Sequence, residues 1–387
     1  MRIHLFVVCL VQMVVFPVLL FGSEPIRFGV SLGVTGSYKL TSSKQRDAYL
    51  LFEEEVNEKG GILGRPVKFV ILDNESKVER AVEQYETLIV KDKVDFVIGP
   101  YTSTLTLAIS KVVEKYGYPT LAAGAASDKI WQQGYENIFG MWTPASRYSL
   151  GFLKMITYNK LDNLVIVTPD DPFGYSIAEG AKKWANALRL NVLDFITFKY
   201  GTKDLSDIAK RVRSSQPEVV ICTGHYYVGE AMRKAFDHID WEPRVFFATV
   251  SPTYQKYYDD FGEKVELDFS SSIWEPHPKL NYPGSFEFAK RYKERYGNPP
   301  TYHAASAYAA GEVMKKAIET AGSLDRDKVR EVLQNLNTLT LLGRYAVDKT
   351  GVQIKRFPLV VQWQQGKKEI VWPKELQTAP YKFKELE

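Results

Sequence analysis

The stretch VDFVIGPYTSTLTLAIS, residues 94–110, changes character at a single point. Its first half is mostly apolar and β-branched, which is typical of a strand buried on both faces of a sheet. Its second half brings the hydroxyl side chains of Thr102, Ser103, Thr104 and Thr106 close together and then turns apolar again. Hydroxyl residues ahead of an apolar periodic run predict the start of a helix.

The same alternation of strand and helix continues on both sides of this stretch. The predicted strands cover 26–33, 67–73, 94–100 and 119–124, and the predicted helices cover 43–59, 76–91 and 103–116. A second series predicts strands at 163–169, 192–198, 218–224 and 244–250 and helices at 175–189, 205–214 and 228–238. Apolar strands in strict alternation with helices predict two doubly wound parallel sheets, joined near residues 141–147.

The last third of the chain has a different pattern. After residue 275 it predicts helices at 284–296, 301–321 and 325–336, followed by two β-rich stretches, FPLVVQWQ and KKEIVWP. The segment 301–321 is small and apolar on one face, so we expect it to pack on a sheet.

The N-terminus predicts export from the cytoplasm. One basic residue, a long apolar run and small residues before Glu24 are typical of a secretory signal peptide over residues 1–23. The run is close to the length that spans a bilayer, so a retained membrane anchor is the alternative. With Cys9 in this run, Cys222 is the only cysteine of the mature chain, which rules out an intramolecular disulfide.

Composition excludes one class of function and makes another improbable. The chain of 387 residues has 45% hydrophobic residues and a formal net charge of only +4, without a basic cluster, so no nucleic-acid partner is predicted. The sequence contains no GxSxG, no GxxxxGK[ST], no HExxH and no paired-cysteine metal spacing. We therefore predict no enzyme, no cofactor and no metal site.

Three segments at predicted strand ends of the first unit are candidates for ligand binding. Ligands of open parallel sheets bind beyond the carboxyl ends of the strands, and a helix N-terminus there favours an anion. Segment 99–106 fits both conditions, and its hydroxyls either cap the helix or hold a carboxylate. In LAAGAASDK, residues 121–129, small side chains leave the main chain accessible. In GVTGSY, residues 33–38, the ring of Tyr38 could form an aromatic wall of the binding site.

Two segments of the second unit, 169–175 and 223–227, lie at corresponding strand ends. Arg147, just after the predicted join, either forms a salt bridge at the rim or neutralises a ligand carboxylate. Taken alone, His225 is more typical of a structural or surface residue than of a ligand contact.

Several of these stretches together resemble a known family. KGGILGRPV (59–67), VDFVIGPYTSTLTLA (94–108), YPTLAAGAASDKIW (118–131) and YHAASAYAAGEV (302–313) resemble the substrate-binding proteins of ABC transporters in the leucine/isoleucine/valine-binding group. The resemblance extends over essentially the whole mature chain. It implies the type I periplasmic binding protein fold, with two α/β lobes joined by three hinge crossings.

The resemblance also implies where the lobes divide and where the ligand binds. Lobe one would comprise 24–143 and 276–345, and lobe two 144–275 and 346–387. In the family, a carboxylate is held by hydroxyls and main-chain amides that match Ser103, with Thr102 or Thr104, and Ala125 with Ser127. The acid that holds the ammonium in amino-acid binders is missing here, because Val250 or its neighbours stand at that place. Asp170, Asp171 or Glu275 could replace it, or the ligand lacks an ammonium.

The predicted function is therefore an extracytoplasmic solute receptor that delivers an amino acid or related small carboxylate to an ABC importer by hinge closure. The alternative is a sensory module of the same fold that signals to a membrane partner. We expect a monomer, periplasmic or extracellular, with an ABC permease as its partner. The predicted ligand-binding residues are Tyr38, Tyr101, Thr102, Ser103, Thr104, Ala125, Ala126, Ser127, Arg147, Phe173, His225, Tyr226, Trp274 and Glu275.

Overall fold

The computed structural model describes residues 24–385, so the predicted signal peptide at 1–23 lies outside the described residues. Among the described residues, no helix combines the length and the apolar character needed to cross a membrane.

The first sheet is parallel throughout and has the order β2-β1-β3-β4-β5. Its strands are β1 (Ile26–Leu32), β2 (Val67–Asp73), β3 (Phe96–Ile98), β4 (Thr120–Ala122) and β5 (Ile138–Gly140). The connecting helices are α1 (Lys39–Glu58), α2 (Val78–Glu86), which continues as a π-helical turn to Lys91, and α3 (Ser103–Lys115). The strand β5 was not predicted, because three residues are too few to show a period.

The second sheet has seven strands in the order β14-β13-β10-β9-β8-β6-β7. Its strands are β6 (Asn163–Pro169), β7 (Asn191–Phe198), β8 (Val219–Cys222), β9 (Val245–Ala248), β10 (Phe269–Ser272), β13 (Leu359–Gln364) and β14 (Lys367–Trp372). The helices beside it are α4 (Leu150–Tyr158), α5 (Pro172–Ala187), α6 (Ser206–Ser214), α7 (Tyr226–His238) and α8 (Gln255–Phe261).

This second sheet departs from the predicted all-parallel arrangement at one edge. Strand β13 runs antiparallel to β10, and β14 runs antiparallel to β13. The two edge strands form a hairpin whose turn residues Gln365 and Gly366 both have positive φ. A two-residue turn of this kind matches the twist of antiparallel strands, and a parallel connection would need a much longer crossover.

The late helices return to the first sheet, as the resemblance implied. They are α9 (Ser285–Tyr296), α10 (Tyr302–Ala321) and α11 (Arg326–Asn335), followed by the hairpin β11 (Thr338–Thr340) and β12 (Gly343–Tyr345). Helix α10 packs along α1, where Tyr308 Oη donates to Glu55 Oε2 at 2.7 Å. A Cβ added at Gly311 would lie 2.6 Å from Phe52 Cδ1, so only glycine allows the two helices to approach this closely.

The chain therefore passes between the two sheets three times: after β5, after β10 and after β12. This is the two-lobed α/β architecture with three crossings that the resemblance implied. The residue boundaries given above for each lobe stay a prediction. In each sheet the strand order reverses at one place, between β1 and β3 and between β6 and β8, and ligands of such folds bind beyond these places.

Candidate functional site

The first lobe contributes two tyrosines from the place where its strand order reverses. Tyr38 follows β1 and Tyr101 follows β3, and their rings meet edge to face with centroids 5.7 Å apart. Both side chains are buried. The two segments that the sequence placed at separate strand ends thus form one aromatic wall.

The hydroxyl run and the AAGAAS segment lie against each other. Ser103 Oγ accepts hydrogen bonds from the main-chain amides of Ala126, at 3.3 Å, and Ser127, at 3.1 Å. Thr102 caps α3 by accepting from the amide of Leu105 at 3.4 Å. Thr104 is half-buried, and its hydroxyl makes no hydrogen bond in the described part of the chain. One threonine of the run therefore serves as a helix cap, while Ser103 links the two predicted loops.

The second lobe contributes Asp171, Phe173, His225 and Tyr226 from its own reversal point. Asp171 is the N-cap of α5, where its Oδ1 accepts from the amides of Phe173 and Gly174. The Phe173 ring stacks on His225 with centroids 4.9 Å apart. His225 Nε2 lies 3.6 Å from Asp171 Oδ1. A carboxylate, an imidazole and an aromatic ring are thus gathered at the start of two helices.

Direct hydrogen bonds join the two lobes. Tyr101 Oη shares a hydrogen bond of 3.0 Å with His225 Nδ1. Tyr38 Oη pairs with Tyr200 Oη at 2.8 Å. Ser127 Oγ pairs with Ser176 Oγ at 2.7 Å. The structure is therefore the closed form of a two-lobed protein.

A further hydrogen-bonded chain runs through Tyr254, which follows β9. Its hydroxyl pairs with Thr41 Oγ1 at 2.9 Å and with His303 Nδ1 at 3.1 Å. The ring of Tyr226 packs against Tyr254 with centroids 5.2 Å apart. Helix α10, which carries His303, thus joins the same contact region from the far end of the sequence.

We call this set the interlobe cluster. It comprises Tyr38, Tyr101, Ser103, Ser127, Tyr148, Asp171, Phe173, Tyr200, His225, Tyr226, Tyr254 and His303.

Four polar atoms of the interlobe cluster are buried and have no hydrogen-bond partner in the described part of the chain. They are Tyr148 Oη, Asp171 Oδ2, His225 Nε2 and Tyr226 Oη. Buried polar groups nearly always have partners, because an unpaired one costs roughly 1–3 kcal/mol. Several such atoms in one place indicate a site whose partners come from a bound polar molecule or water.

The electrostatics of the interlobe cluster rest on one carboxylate and neutral groups. Burial lowers the pKa of His225, and the charge of Asp171 opposes this shift. Burial also lowers the pKa of His303 well below its usual range. Both imidazoles are therefore neutral at pH 7, and Asp171 is the only acidic member of the cluster.

A surface pocket with a volume of about 490 Å³ borders the interlobe cluster. It is lined by Tyr200 and Tyr227 together with Ser37 and residues 201–203. The hydroxyl of Tyr227 is buried and unpaired within the described chain. This surface is the open side of the cluster.

Three of the predicted site residues make their contacts elsewhere. Arg147 is exposed and lines a different groove, at the hinge. Trp274 is buried, with its Nε1 donating to Ser285 Oγ at 3.0 Å. Glu275 forms an ion pair of 2.9 Å with Lys368. The expectation that ligands bind beyond the carboxyl ends of the strands does not apply to these three residues, because they lie on the hinge crossings.

The structure distinguishes the three acids, Asp170, Asp171 and Glu275, that could replace the missing acid of the family's amino-acid binders. Val250 is buried with φ of +67° at the place after β9. Asp170 is exposed and accepts from the amide of Tyr200 at 2.7 Å. Glu275 is paired with Lys368, so Asp171 is the acid that reaches the interlobe cluster.

The sequence did not point to Tyr200, Tyr254, Ser176 or His303. Tyr200 and Tyr254 follow the carboxyl ends of β7 and β9, where ligands of open sheets bind, so their position could have identified them. Ser176 lies within α5 and His303 within α10, where nothing in the local pattern distinguishes them from core positions.

A family model described as periplasmic binding protein matches residues 25–368. The Leu/Ile/Val-binding protein homolog 7 of Brucella suis is 23% identical over 386 residues, which cover 92% of this chain and 94% of that protein. A crystal structure of a leucine-binding protein from Thermotoga maritima has a TM-score of 0.82 at 22% identity and covers 89% of this chain and 97% of that one. An ABC-transporter solute-binding protein from R. palustris, solved in complex with benzoate, has a TM-score of 0.80 at 18% identity and covers 89% and 95%.

Proposed function

The chain belongs to the periplasmic binding protein family, and on this premise we propose that it is an extracytoplasmic solute receptor that delivers an amino acid or related small carboxylate to an ABC importer. The observation that carries the proposal is the interlobe cluster, which gathers buried and partly unpaired polar atoms between the two lobes. The Brucella suis relative is named for leucine, isoleucine and valine binding, and the R. palustris protein holds benzoate. These four ligands are all small carboxylates.

Hinge closure is the mechanism that these contacts support. A ligand held by one lobe would supply partners to the unpaired atoms of the other, so its binding free energy would favour the closed form. The direct contacts Tyr38–Tyr200, Tyr101–His225 and Ser127–Ser176 limit how far the lobes close. The closed form would then present both lobes to a membrane permease. We expect the receptor to act as an exported monomer.

The ligand carboxylate has neutral hydrogen-bond donors available on lobe one. Ser103 opens α3, whose first-turn amides and dipole favour an anion. The hydroxyl of Ser127 lies beside it, and lobe two adds Tyr148 Oη, which is buried and unpaired in the described chain. Charge-assisted hydrogen bonds from several neutral donors hold a carboxylate without a cationic side chain.

The ligand also carries an ammonium group, for which Asp171 is the partner. Asp171 Oδ1 is used by the helix cap, while Oδ2 is buried and has no partner in the described chain. His225 Nε2 lies 3.6 Å from Asp171 Oδ1, and the ring of Phe173 stacks on that imidazole, so aromatic groups lie beside the carboxylate. A cation there would gain both a carboxylate and aromatic faces. This favours an α-amino acid over an acid such as benzoate.

The variant Asp171→Asn tests this assignment. Asparagine keeps an oxygen for the α5 cap but removes the charge. We expect binding of the best amino acid, measured by calorimetry, to weaken by about 1.5–3 kcal/mol. Binding of the same compound without its amino group should hardly change. Asp170→Asn is the matched control, because Asp170 is adjacent, exposed and outside the interlobe cluster.

A thermal-shift screen of amino acids, aromatic acids and dicarboxylates identifies the ligand class first. A solute at 100 times its dissociation constant adds about 2.7 kcal/mol to the free energy of unfolding and raises the melting temperature. If benzoate-type acids stabilise the protein and amino acids do not, the assignment of Asp171 is wrong. If no small solute stabilises it, the receptor function is wrong.

A further inference from the structure

A second concave site lies at the hinge and shares no residue with the interlobe cluster. It is a groove of about 400 Å³. Its walls come from the first crossing and α4, from Trp184 of α5, and from the last crossing, 356–358, with Trp372 and Pro373 behind it. We call it the hinge groove. It contains Arg147, which the sequence singled out and the interlobe cluster does not use.

The hinge groove is cationic. Arg147, Lys154 and Arg356 line it, and no aspartate or glutamate is among its lining residues. Arg147 and Lys154 are exposed, and no ion pair of either side chain is found in the described part of the chain. Three cations that face one cavity without an acid attract an anion.

Arg356 is the buried member of this group. Its guanidinium donates to the carbonyl oxygens of Met141, at 2.7 Å, Arg344, at 3.0 Å, and Gly343, at 3.3 Å. All of these partners are neutral, and burial lowers the pKa of Arg356 to about 9. The acid that acts on Arg356 is Glu312, a carboxyl that forms no ion pair with it in the described chain and whose pKa burial raises to about 7. An anion beside this buried cation would therefore be bound favourably.

The walls of the hinge groove are aromatic and held in place. Trp184 Nε1 donates to the carbonyl of Ser146 at 3.0 Å, which fixes that indole. Trp372 lies against α4, where a Cβ added at Gly151 would be 2.6 Å from its Cδ1. Phe357 is 59% exposed at the edge. The hydroxyl of Thr143, 1% exposed, lines the groove and is unpaired within the described chain.

We propose that the hinge groove binds a small organic anion that carries an aromatic or branched apolar body. The anionic group would lie near Arg147, Lys154 and Arg356, and the apolar body between Trp184 and Trp372. Two of the three crossings form its walls, so an occupant would contact both. Binding at this site would therefore depend on the relative position of the lobes and would alter affinity at the interlobe cluster.

The test uses 8-anilinonaphthalene-1-sulfonate, a fluorescent aromatic anion, titrated into the full mature chain. Its affinity for the wild type is compared with that for the double variant Arg147→Glu/Lys154→Glu. Both side chains are exposed, so the variant is expected to fold. We expect the affinity to fall by about tenfold or more, because two favourable charge interactions become repulsive.

The double variant Lys111→Glu/Lys316→Glu is the matched control. Both lysines are exposed and without an ion pair in the described chain, they lie on α3 and α10, and the net charge changes by the same amount. We expect this control to bind the probe like the wild type.

Excitation of tryptophan gives a second readout, because Trp184→Phe should reduce energy transfer to a probe bound between the two indoles. Unchanged affinity in the Arg147→Glu/Lys154→Glu variant, or an equal loss in the control, would overturn the proposal. Either outcome is independent of whether the interlobe cluster binds an amino acid.

Discussion

Tyr101 Oη and His225 Nδ1 are 3.0 Å apart, although the two residues are 124 positions apart in the chain. One follows β3 of the first sheet and the other follows β8 of the second. Both side chains are buried. Their hydrogen bond can form only when the lobes are closed, so it stabilises the closed form relative to the open form.

Removal of this bond should open the ligand-free protein. In Tyr101→Phe, His225 Nδ1 loses its partner, and we expect the closed form to lose about 0.5–1.5 kcal/mol relative to the open form. Small-angle X-ray scattering of the ligand-free variant should show a larger radius of gyration. Ligand affinity should fall by a similar free energy, because more of the binding energy is used to close the lobes.

Tyr49→Phe is the matched control for that variant. The hydroxyl of Tyr49 is buried and without a partner in the described chain, and its ring stacks on Phe69 within the first lobe. Its removal should leave both scattering and affinity unchanged. An equal radius for wild type and Tyr101→Phe would mean that the interlobe hydrogen bond does not contribute to closure.

Ser103→Ala should weaken both ligand binding and the fold of lobe one. Its hydroxyl accepts from the amides of Ala126 and Ser127, so alanine leaves two buried donors without their acceptor. We expect a loss of about 1–3 kcal/mol in the free energy of unfolding, measured with urea, and a comparable loss of ligand affinity, measured by calorimetry.

Thr104→Ala separates this effect from a general loss of a hydroxyl at the start of α3. Thr104 is half-buried and its hydroxyl makes no hydrogen bond in the described chain, so we expect changes within about 0.5 kcal/mol. If Ser103→Ala behaves like Thr104→Ala in both measurements, the hydroxyl of Ser103 has neither role.

Acidification should destabilise the closed protein through His225 and His303. Burial lowers the pKa of both imidazoles in the native state below the usual value of about 6.5. Below that pH the unfolded chain takes up protons that the native state does not, so the free energy of unfolding falls as pH is lowered. The slope is at most about 1.4 kcal/mol per pH unit for each histidine, and it ends below the native pKa values.

Other groups titrate near this range, so a comparison of variants is needed. Burial raises the pKa of Asp268 and of Glu312 to about 7, and these carboxyls act in the opposite direction. The variant His225→Asn should show a smaller fall in stability between about pH 6.5 and 5 than the wild type. His238→Asn, at an exposed position, should follow the wild type. Parallel curves for wild type and His225→Asn would refute the role of His225.

The strand-helix order was predictable because it depends on local periodicity. The strand 163–169 was predicted with the bounds it has in the structure, and the helix predicted at 301–321 begins one residue later. The two predicted β-rich stretches FPLVVQWQ and KKEIVWP contain β13 and β14. Their antiparallel pairing and the short strand β5 were not predicted, because strand direction and three-residue strands are set by tertiary pairing rather than by local sequence.

The candidate site was predictable only where a strand end marks it. Ser103 and the loop of Ala126 and Ser127 lie together in the structure as their positions after two parallel strands suggested. His303 was invisible, because a buried histidine on a small, apolar helix face has the same local pattern whether it packs in a core or faces another lobe. Arg147 shows the reverse case, since its charge and its place after the join were correct clues to a hinge position but not to the cavity it lines.

The sequence by itself determined the two α/β lobes and which strand ends carry hydroxyl and aromatic residues, because backbone propensity and hydrophobic period act over a few residues. Only the tertiary structure decided which of those ends meet. Tyr101 faces His225, Asp171 reaches the interlobe cluster while Asp170 does not, and Arg356 joins Arg147 in the hinge groove. The physical reason is that these contacts depend on the three crossings of the chain, and the relative placement of two lobes is fixed by packing between distant segments.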